Sequence, residues 1–223
     1  ILAFLSLLLK DIFFDFQGFG FISNRKYKPF MKNRETILIE ELLKNMQPKN
    51  CLEWGSGFST FNFSRLIPSS SNWLAIEHDF DWAQKVKKMN ENSNVRVKYI
   101  PPNRFPWTDE NNDGSYTDLV DYVEGPKDFG PFDFIFIDGR SRVACLEKAM
   151  DWITDMGVVI LHDSNREFYH SGLNIFPNKY FFQVKGKKGN GICIATKKLD
   201  LNKYLDVSSH IRLGLWHDRL KNL

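Results

Sequence analysis

The fold of this chain follows from residues 52–60, which read LEWGSGFST. The residues that lead into this stretch predict a strand, and residues 58–67 can continue as a helix. Gly55 and Gly57 remove two Cβ atoms where the backbone must turn sharply and approach a ligand. The first amides of the helix point towards that turn and lack partners within the helix. A strand, a glycine turn and a helix in this order therefore predict a ligand site.

Two details of the turn restrict the ligand. The third glycine of the dinucleotide fingerprint GxGxxG is missing, because Ser59 and Thr60 follow Gly57. Glu53 precedes the turn, where its carboxylate would repel a phosphate and attract a cationic amino group. We therefore expect a ligand with an ammonium and a carboxylate at one end, and we place Glu53 near the amino group.

A second predicted strand, at residues 73–76, ends in Glu77-His78-Asp79. This acidic end lies about 20 residues beyond the glycine turn, where nucleotide-binding folds place a ribose-binding acid. Together with the end of a later strand, these segments predict the cofactor-binding residues. They are Glu53, Gly55, Ser56, Gly57, Ser59, Thr60, Glu77, His78, Asp138 and Gly139.

An ExGxG turn followed by a second strand with an acidic end resembles the class I S-adenosylmethionine-dependent methyltransferases, from about residue 35 to residue 196. The segments EWGSG (53–57) and DGRSRVAC (138–145) resemble those of a bacterial group of methyltransferases. More distantly, EHDFDW (77–82) and LHDSNR (161–166) resemble segments of the plant glucuronoxylan O-methyltransferases. The resemblance implies S-adenosylmethionine as the cofactor and O-methylation of a sugar, a polysaccharide or another small hydroxyl acceptor.

Predicted strands alternate with predicted helices along most of the chain, which implies a parallel sheet with helices on both faces. Two last strands, at residues 180–184 and 192–195, flank a glycine-rich loop and predict a hairpin. We therefore expect an α/β fold of the Rossmann-like, doubly wound type. Its mostly parallel, seven-stranded sheet should carry an antiparallel C-terminal hairpin strand.

Three regions are predicted. Residues 1–33 form an apolar helix and a basic linker, residues 34–198 the methyltransferase domain, and residues 199–223 a helical tail. The apolar run ILAFLSLLL is too short to span a bilayer. We expect its helix to pack on the domain or on another subunit, so an oligomer is an open alternative, as is contact of residues 1–34 with a membrane surface.

Composition excludes some function classes. A formal net charge of +3 is too small to indicate a nucleic-acid partner. The 3 cysteines show no metal-ligand spacing, which favours a reduced, cytoplasmic protein with a peripheral membrane location as the alternative. A small-molecule or glycan acceptor is the expected partner.

The candidate catalytic residues lie at two strand ends. Asp138 closes FDFIFID, and His162 and Asp163 close VVILHD. An alcohol acceptor must lose its proton to a base, or to a metal ion that lowers its pKa. Asp163 is the favoured base, and His162 and Asp138 are the further candidates.

A metal site at these strand ends is the alternative. Two carboxylates and an amide are ligands that Mg²⁺ prefers. The arrangement resembles the catechol-type O-methyltransferases, where acids at these two strand ends and a neighbouring Asn hold a divalent ion. Here Ser164 separates Asp163 from Asn165. We therefore favour a base without a metal, and retain Asp138, Asp163 and Asn165 as the alternative ligand set.

Two arginines stand at the start of a predicted helix. Positive charge is unfavourable there because of the helix dipole. Arg140 and Arg142 therefore need an anionic partner. It is either an acidic acceptor, such as a uronate or a phosphate, or an internal acid of the chain.

Two other function classes compete with the methyltransferase. A nicotinamide-dependent oxidoreductase has a related sheet, but Glu53 and the missing third glycine argue against it. A non-catalytic, cofactor-binding module is the other. The intact set Glu53, Gly55, Gly57 and Glu77 argues against the loss of cofactor binding.

Overall fold

In the computed structural model, the described residues are 5–6, 8–9, 28–182 and 190–220, with side chains described as far as residue 214. Strands and helices alternate along most of this length. In chain order they are α1 Asn33–Met46, β1 Asn50–Trp54, α2 Phe58–Ser64, β2 Asn72–Glu77, α3 Phe80–Met89, β3 Val95–Tyr99, α4 Val120–Glu124, β4 Phe132–Ile137, α5 Arg142–Trp152, β5 Ile153–His162, α6 His170–Leu173, β6 Asn178–Phe182, β7 Ile192–Thr196 and α7 Val207–Leu220.

The seven strands form one sheet in the order β3-β2-β1-β4-β5-β7-β6. Strands β1 to β5 pair in parallel, whereas β7 pairs antiparallel with both β5 and β6. The predicted architecture is confirmed, including the C-terminal hairpin. The first hairpin strand is predicted to span residues 180–184. Its last two residues, 183 and 184, lie outside the described part of the chain.

The central strands are apolar on both faces because helices cover both. In β4, for example, Phe134 and Phe136 face one apolar cluster and Ile135 and Ile137 face the other. Helices α1, α2 and α3 contribute to the first cluster, and α4, α5 and α6 to the second. Both faces of the sheet are therefore covered by helices, and a ligand site can form only at the ends of the strands.

Little of the predicted N-terminal helix is described. Residues 5–6 and 8–9 are helical, and Leu8 packs against Ile37 of α1 and Leu213 of α7. The other residues up to 27, which include most of the predicted basic linker, lie outside the described part of the chain. None of the described helices combines the length and the apolar character that crossing a membrane requires.

Candidate active site

A cleft of about 550 Å³ opens at the carboxyl ends of β1, β2 and β4. The strand order reverses between β1 and β4, and open α/β sheets bind ligands at such a point. Most of the predicted site residues line this cleft. They are Gly55, Ser56, Gly57, Ser59, Glu77, His78, Asp138, Gly139, Arg140 and Arg142. Six lining residues were not among the predicted site residues. They are Phe30, Met31, Phe58, Asp79, Trp82 and Arg166.

The two glycines of the turn have different roles. Gly55 has a φ of +93°, and a Cβ there would lie 2.6 Å from the Cα of Gly139. The turns after β1 and β4 therefore pack backbone against backbone. At Gly57 the nearest atom to an added Cβ would be 3.8 Å away, in the ring of Trp82. The fold thus has no need of a glycine at position 57, and the space beside it belongs to the cleft.

The structure corrects the role of Glu53. Its carboxylate is fully buried and does not line the cleft. It accepts hydrogen bonds from the Ser59 hydroxyl (2.5 Å), the Thr60 hydroxyl (2.7 Å) and the Trp73 indole N–H (2.9 Å). Burial raises the pKa of Glu53 to about 7, against the lowering effect of these donors. Glu53 and Thr60 therefore hold the start of α2 against the sheet and do not face a ligand.

Glu77 does line the cleft, as predicted. Its Oε2 accepts hydrogen bonds from the backbone N–H (2.9 Å) and the hydroxyl (3.1 Å) of Ser56. Its Oε1 accepts from the backbone N–H groups of His78 (2.9 Å) and Asp79 (3.1 Å). The end of β2 is thereby locked to the glycine turn. Of these four donors, only the Ser56 hydroxyl can be withdrawn by a bond rotation. The imidazole Nδ1 of His78 also lies 2.9 Å from Oε1 and is likewise carried by a rotatable side chain.

Three aromatic side chains, Phe30, Phe58 and Trp82, line the cleft beside the glycine turn. The Phe30 ring, 78% exposed, lies with its centroid 5.2 Å from that of Phe58. The indole N–H of Trp82 donates to the carbonyl of Ser56 at 2.7 Å. Segments distant in the chain therefore meet over the cleft, and sequence spacing carries no signal of this contact.

Six charged side chains of alternating sign cross the strand ends, and we call them the charge row. They are Glu35, His162, Asp138, Arg142, Asp163 and Arg166. In this order the successive closest charged atoms are 3.5, 2.8, 3.3, 3.5 and 3.2 Å apart. With His162 protonated, three negative and three positive charges cancel.

Asp138 is the carboxylate of the row that lines the cleft. Its Oδ1 contacts both Nδ1 of His162 and a guanidinium nitrogen of Arg142. Burial alone would raise the pKa of Asp138, but these two cations outweigh it and hold the pKa below its ordinary 3.8. Asp138 is therefore ionised at neutral pH and can accept a hydrogen bond from a ligand in the cleft.

The surroundings of His162 disfavour the predicted role as a base. Burial would lower its pKa, but Asp138 and Glu35 outweigh burial and raise the pKa to about 10. Both ring nitrogens thus carry protons at neutral pH, and no lone pair is left to accept another. Glu35, which also accepts the backbone N–H of Gly191 at 2.7 Å, was missed because it lies in a different helix far upstream.

Asp163, the favoured base, is also corrected. It has a φ of +57° and does not line the cleft. Its Oδ1 accepts the backbone N–H of Asn190 at 2.7 Å, and its Oδ2 lies 3.5 Å from Arg142 and 3.2 Å from Arg166. Two guanidinium groups therefore hold Asp163, and the acid that faces the cleft is Asp138.

The two arginines differ in their partners. Arg142 is 7% exposed, and its guanidinium donates to the carbonyls of Gly139 (3.0 Å), His162 (2.7 Å) and Asp138 (3.2 Å). The anionic partners of Arg142 are therefore acids of the chain itself, Asp138 and Asp163, and not an acidic acceptor. This corrects the assignment of Arg142 to the substrate. Arg140 donates to the carbonyl of Asn112 at 3.4 Å and forms no ion pair with a carboxylate within the described residues.

A divalent metal ion does not fit these residues. Ligand atoms of Asp138, His162 and Asp163 do lie within 4.8 Å of one another. However, the guanidinium of Arg142 already lies between the two carboxylates, 3.3 Å from Asp138 and 3.5 Å from Asp163. The ligand set retained as an alternative, Asp138, Asp163 and Asn165, is therefore already partly occupied by internal cations.

The charge row predicts a pH dependence of stability. A His162 pKa raised from 6.5 to about 10 contributes stability that is complete below pH 6.5 and is lost as the pH rises through about 10. The lowered pKa of Asp138 contributes stability that is present above pH 3.8 and is lost on acidification. Urea unfolding at a series of pH values should therefore show the free energy of unfolding falling from pH 7 to 10.

The alkaline fall should amount to about 1.4 kcal/mol for each pKa unit that separates the folded and unfolded states of His162. His162→Gln should flatten it. His170→Gln, outside the charge row, is the matched control and should keep the alkaline fall. An unchanged slope in His162→Gln would contradict the assignment.

Solved structures of methyltransferases share this fold. The O-methyltransferase from Bacillus cereus, in complex with SAH, is 19% identical, with a TM-score of 0.58 over 89% of this chain and 91% of that one. Human methyltransferase-like protein 13, also with SAH, is 18% identical, with a TM-score of 0.53 over 82% and 91%. The O-methyltransferase TomG from Streptomyces achromogenes, with SAM, is 17% identical, with a TM-score of 0.50 over 87% and 89%.

At these identities the similarity shows the fold, and the Rossmann-like fold expected from the sequence is thereby confirmed. No protein-family model matches the chain, and no curated protein does.

Proposed function

We propose that the protein is an S-adenosylmethionine-dependent O-methyltransferase. The observation that carries this proposal is the cleft at the point where the strand order reverses. There the open side of Gly57 and the carboxylate of Glu77 line one cavity, in a sheet that solved methyltransferases share.

The residues present suit the cofactor. The glycine turn leaves room for the amino-acid end, and Glu77 can accept ribose hydroxyls when the Ser56 hydroxyl rotates away. His78 and Gly139 line the same cleft and would flank the adenine. A bound S-adenosylmethionine supplies an electrophilic methyl group. The chain itself must place the acceptor oxygen in line with that group, because positioning accounts for much of the acceleration of such a displacement.

Asp138 is the residue to which we assign the acceptor hydroxyl. Its ionised carboxylate can accept the hydroxyl hydrogen bond and take up the proton as the oxygen loses it. A carboxylate of lowered pKa is a weak base, so its main contribution is to orient the hydroxyl. That interaction strengthens as the acceptor oxygen becomes more acidic in the transition state.

The acceptor is proposed to be an anionic sugar, polysaccharide or other small molecule with a hydroxyl group. Arg140, without an ion pair among the described carboxylates, and Arg166, 37% exposed, both line the cleft. They could hold a carboxylate or a phosphate. The resemblance to glucuronoxylan O-methyltransferases supports a sugar or polysaccharide that bears such a group.

Calorimetry tests the cofactor. We expect S-adenosylhomocysteine to bind the purified protein with a micromolar dissociation constant, and NAD⁺ to show no binding at the same concentrations. Binding of NAD⁺ without S-adenosylhomocysteine would favour the oxidoreductase instead. Binding of neither would favour a domain without this cofactor.

Arg140→Ala tests the acceptor. With S-adenosylhomocysteine bound, the parent protein should bind glucuronate more tightly than glucose, and the variant should lose about tenfold in affinity for glucuronate alone. Added salt should weaken glucuronate binding by the parent in the same direction, because it screens the charge. Arg65→Ala, an exposed arginine outside the cleft, is the control. Equal binding of the two sugars by the parent would contradict an anionic acceptor.

A further inference from the structure

We propose that Arg142 is a positioning residue that permanently supplies, between the strand-end acids Asp138 and Asp163, the positive charge that a divalent ion supplies in catechol-type O-methyltransferases. Methyl transfer in this cleft would then need no metal. This inference rests on the proposed function for its catalytic meaning, although the charge arrangement can be tested without it.

The position of Arg142 is the first support. One guanidinium nitrogen lies 3.3 Å from Oδ1 of Asp138, and another lies 3.5 Å from Oδ2 of Asp163. The guanidinium therefore bridges the acids at the ends of β4 and β5, which is the place of a metal ion in the resemblance. Its hydrogen bonds to three carbonyls anchor it there. Displacing the Arg142 guanidinium would break these hydrogen bonds at a buried position, where water cannot readily replace them.

His162 is the second support. Its side chain is 6% exposed and lies between the carboxylates of Asp138 and Glu35. Glu35 is itself held by the backbone N–H groups of Lys32 and Gly191, both at 2.7 Å. Glu35 thus helps to fix the imidazole of His162 beside the Asp138 carboxylate.

The charge balance is the third support. The carboxylates of Asp138 and Asp163 are already balanced by the guanidinium groups of Arg142 and Arg166. A divalent ion placed between Asp138 and Asp163 would leave an excess of two positive charges in a largely buried place, which is unfavourable. Removal of Arg142 has the opposite effect. It leaves Asp138 and Asp163 with one negative charge in excess and an open space between them.

The arrangement also leaves one oxygen of Asp138 for the acceptor. The contacts of Asp138 with His162 and Arg142 both involve Oδ1. In the described part of the chain no hydrogen bond to Oδ2 is found. The contacts from Arg142 and His162 therefore fix the orientation of the carboxylate and leave Oδ2 for a hydroxyl in the cleft.

The test is a Mn²⁺ titration of the full chain, followed by electron paramagnetic resonance, with and without S-adenosylhomocysteine. The parent should leave the free Mn²⁺ signal unchanged up to millimolar ion. Arg142→Ala should bind Mn²⁺ at least about tenfold more tightly than the parent does. Arg142→Ala combined with Asp138→Asn should lose that gain. A merely structural role of Arg142 would not create a metal site.

Arg140→Ala is the matched control, because this neighbouring arginine lines the cleft but does not bridge the acids. It should show no gain in Mn²⁺ affinity. If Arg142→Ala does not fold, Arg142→Gln and the parent carry the test. Binding of Mn²⁺ by the parent that Asp138→Asn abolishes would overturn the proposal. So would a folded Arg142 variant without any gain.

The outcome is separable from the proposed function. Failure of S-adenosylhomocysteine to bind would remove the methyltransferase but leave the Mn²⁺ result as it stands. Conversely, the parent protein could bind both S-adenosylhomocysteine and Mn²⁺ tightly. That result would support the proposed methyltransferase function and contradict the proposal that Arg142 takes the place of a metal ion.

Discussion

Gly57→Val is expected to abolish binding of S-adenosylhomocysteine while the protein stays folded. An added Cβ would meet no atom of the chain closer than 3.8 Å, so the native backbone can accept a side chain at position 57. The branches of valine would instead occupy the part of the cleft that we assign to the amino-acid end of the cofactor. Affinity should fall by at least about 100-fold, or about 2.7 kcal/mol, with Gly57→Ala intermediate. Calorimetry measures the loss, and thermal unfolding reports the fold.

Gly55→Ala provides the contrast. Its Cβ would lie 2.6 Å from backbone atoms of Gly139, and its φ of +93° is unfavourable for alanine. We therefore expect a lower melting temperature in this variant, whereas Gly57→Val should melt close to the parent. Gly130→Ala, outside the cleft and without a contact closer than 3.4 Å, should change neither property. Parent-like affinity in Gly57→Val would mean that the cofactor lies elsewhere.

Asp138→Asn is expected to lower turnover by about 100-fold or more while leaving S-adenosylhomocysteine affinity within a few-fold of the parent. Asparagine keeps the size of the side chain but cannot take up a proton from the acceptor. The loss should appear in kcat rather than in cofactor binding, because the interaction matters most in the transition state. Release of S-adenosylhomocysteine from S-adenosylmethionine, with glucuronate-bearing glycans as the first acceptors, measures turnover.

Two further variants make this result specific. Asp128→Asn removes an exposed carboxylate near the start of β4 and should behave as the parent. Asp163→Asn should chiefly lower stability, because it takes away the partner of Arg142 and Arg166. If Asp163→Asn lost turnover and Asp138→Asn kept it, the base expected from the sequence would be restored.

The glycine turn, the acidic end of β2 and the alternation of apolar strands with helices were readable from the residues. These features depend on neighbours in the chain. A strand, a turn and a helix form within a short segment, and buried parallel strands need apolar residues on both faces. The order of such segments then restricts the sheet, so the seven strands and the antiparallel C-terminal hairpin could be predicted. The cleft at the strand ends followed from the same order.

Side-chain partners at those strand ends could not be predicted in the same way. Glu53 is close to the turn in sequence, yet its carboxylate points to Ser59, Thr60 and Trp73. Asp138 and Asp163 look equivalent as strand-end acids, but the left-handed backbone at Asp163 turns it towards two arginines.

The charge row shows the physical reason. Glu35 meets His162 only when α1 packs against the sheet, and Arg142 meets Asp163 only when β4 and β5 lie side by side. The protonation of His162 depends on both neighbouring carboxylates and on burial. Charge, burial and hydrogen bonding at a site are sums over groups brought together by folding, whereas strand and helix patterns are properties of adjacent residues. The fold could therefore be predicted from local sequence patterns. Which acid faces the cleft depends on contacts between segments that are far apart in the chain.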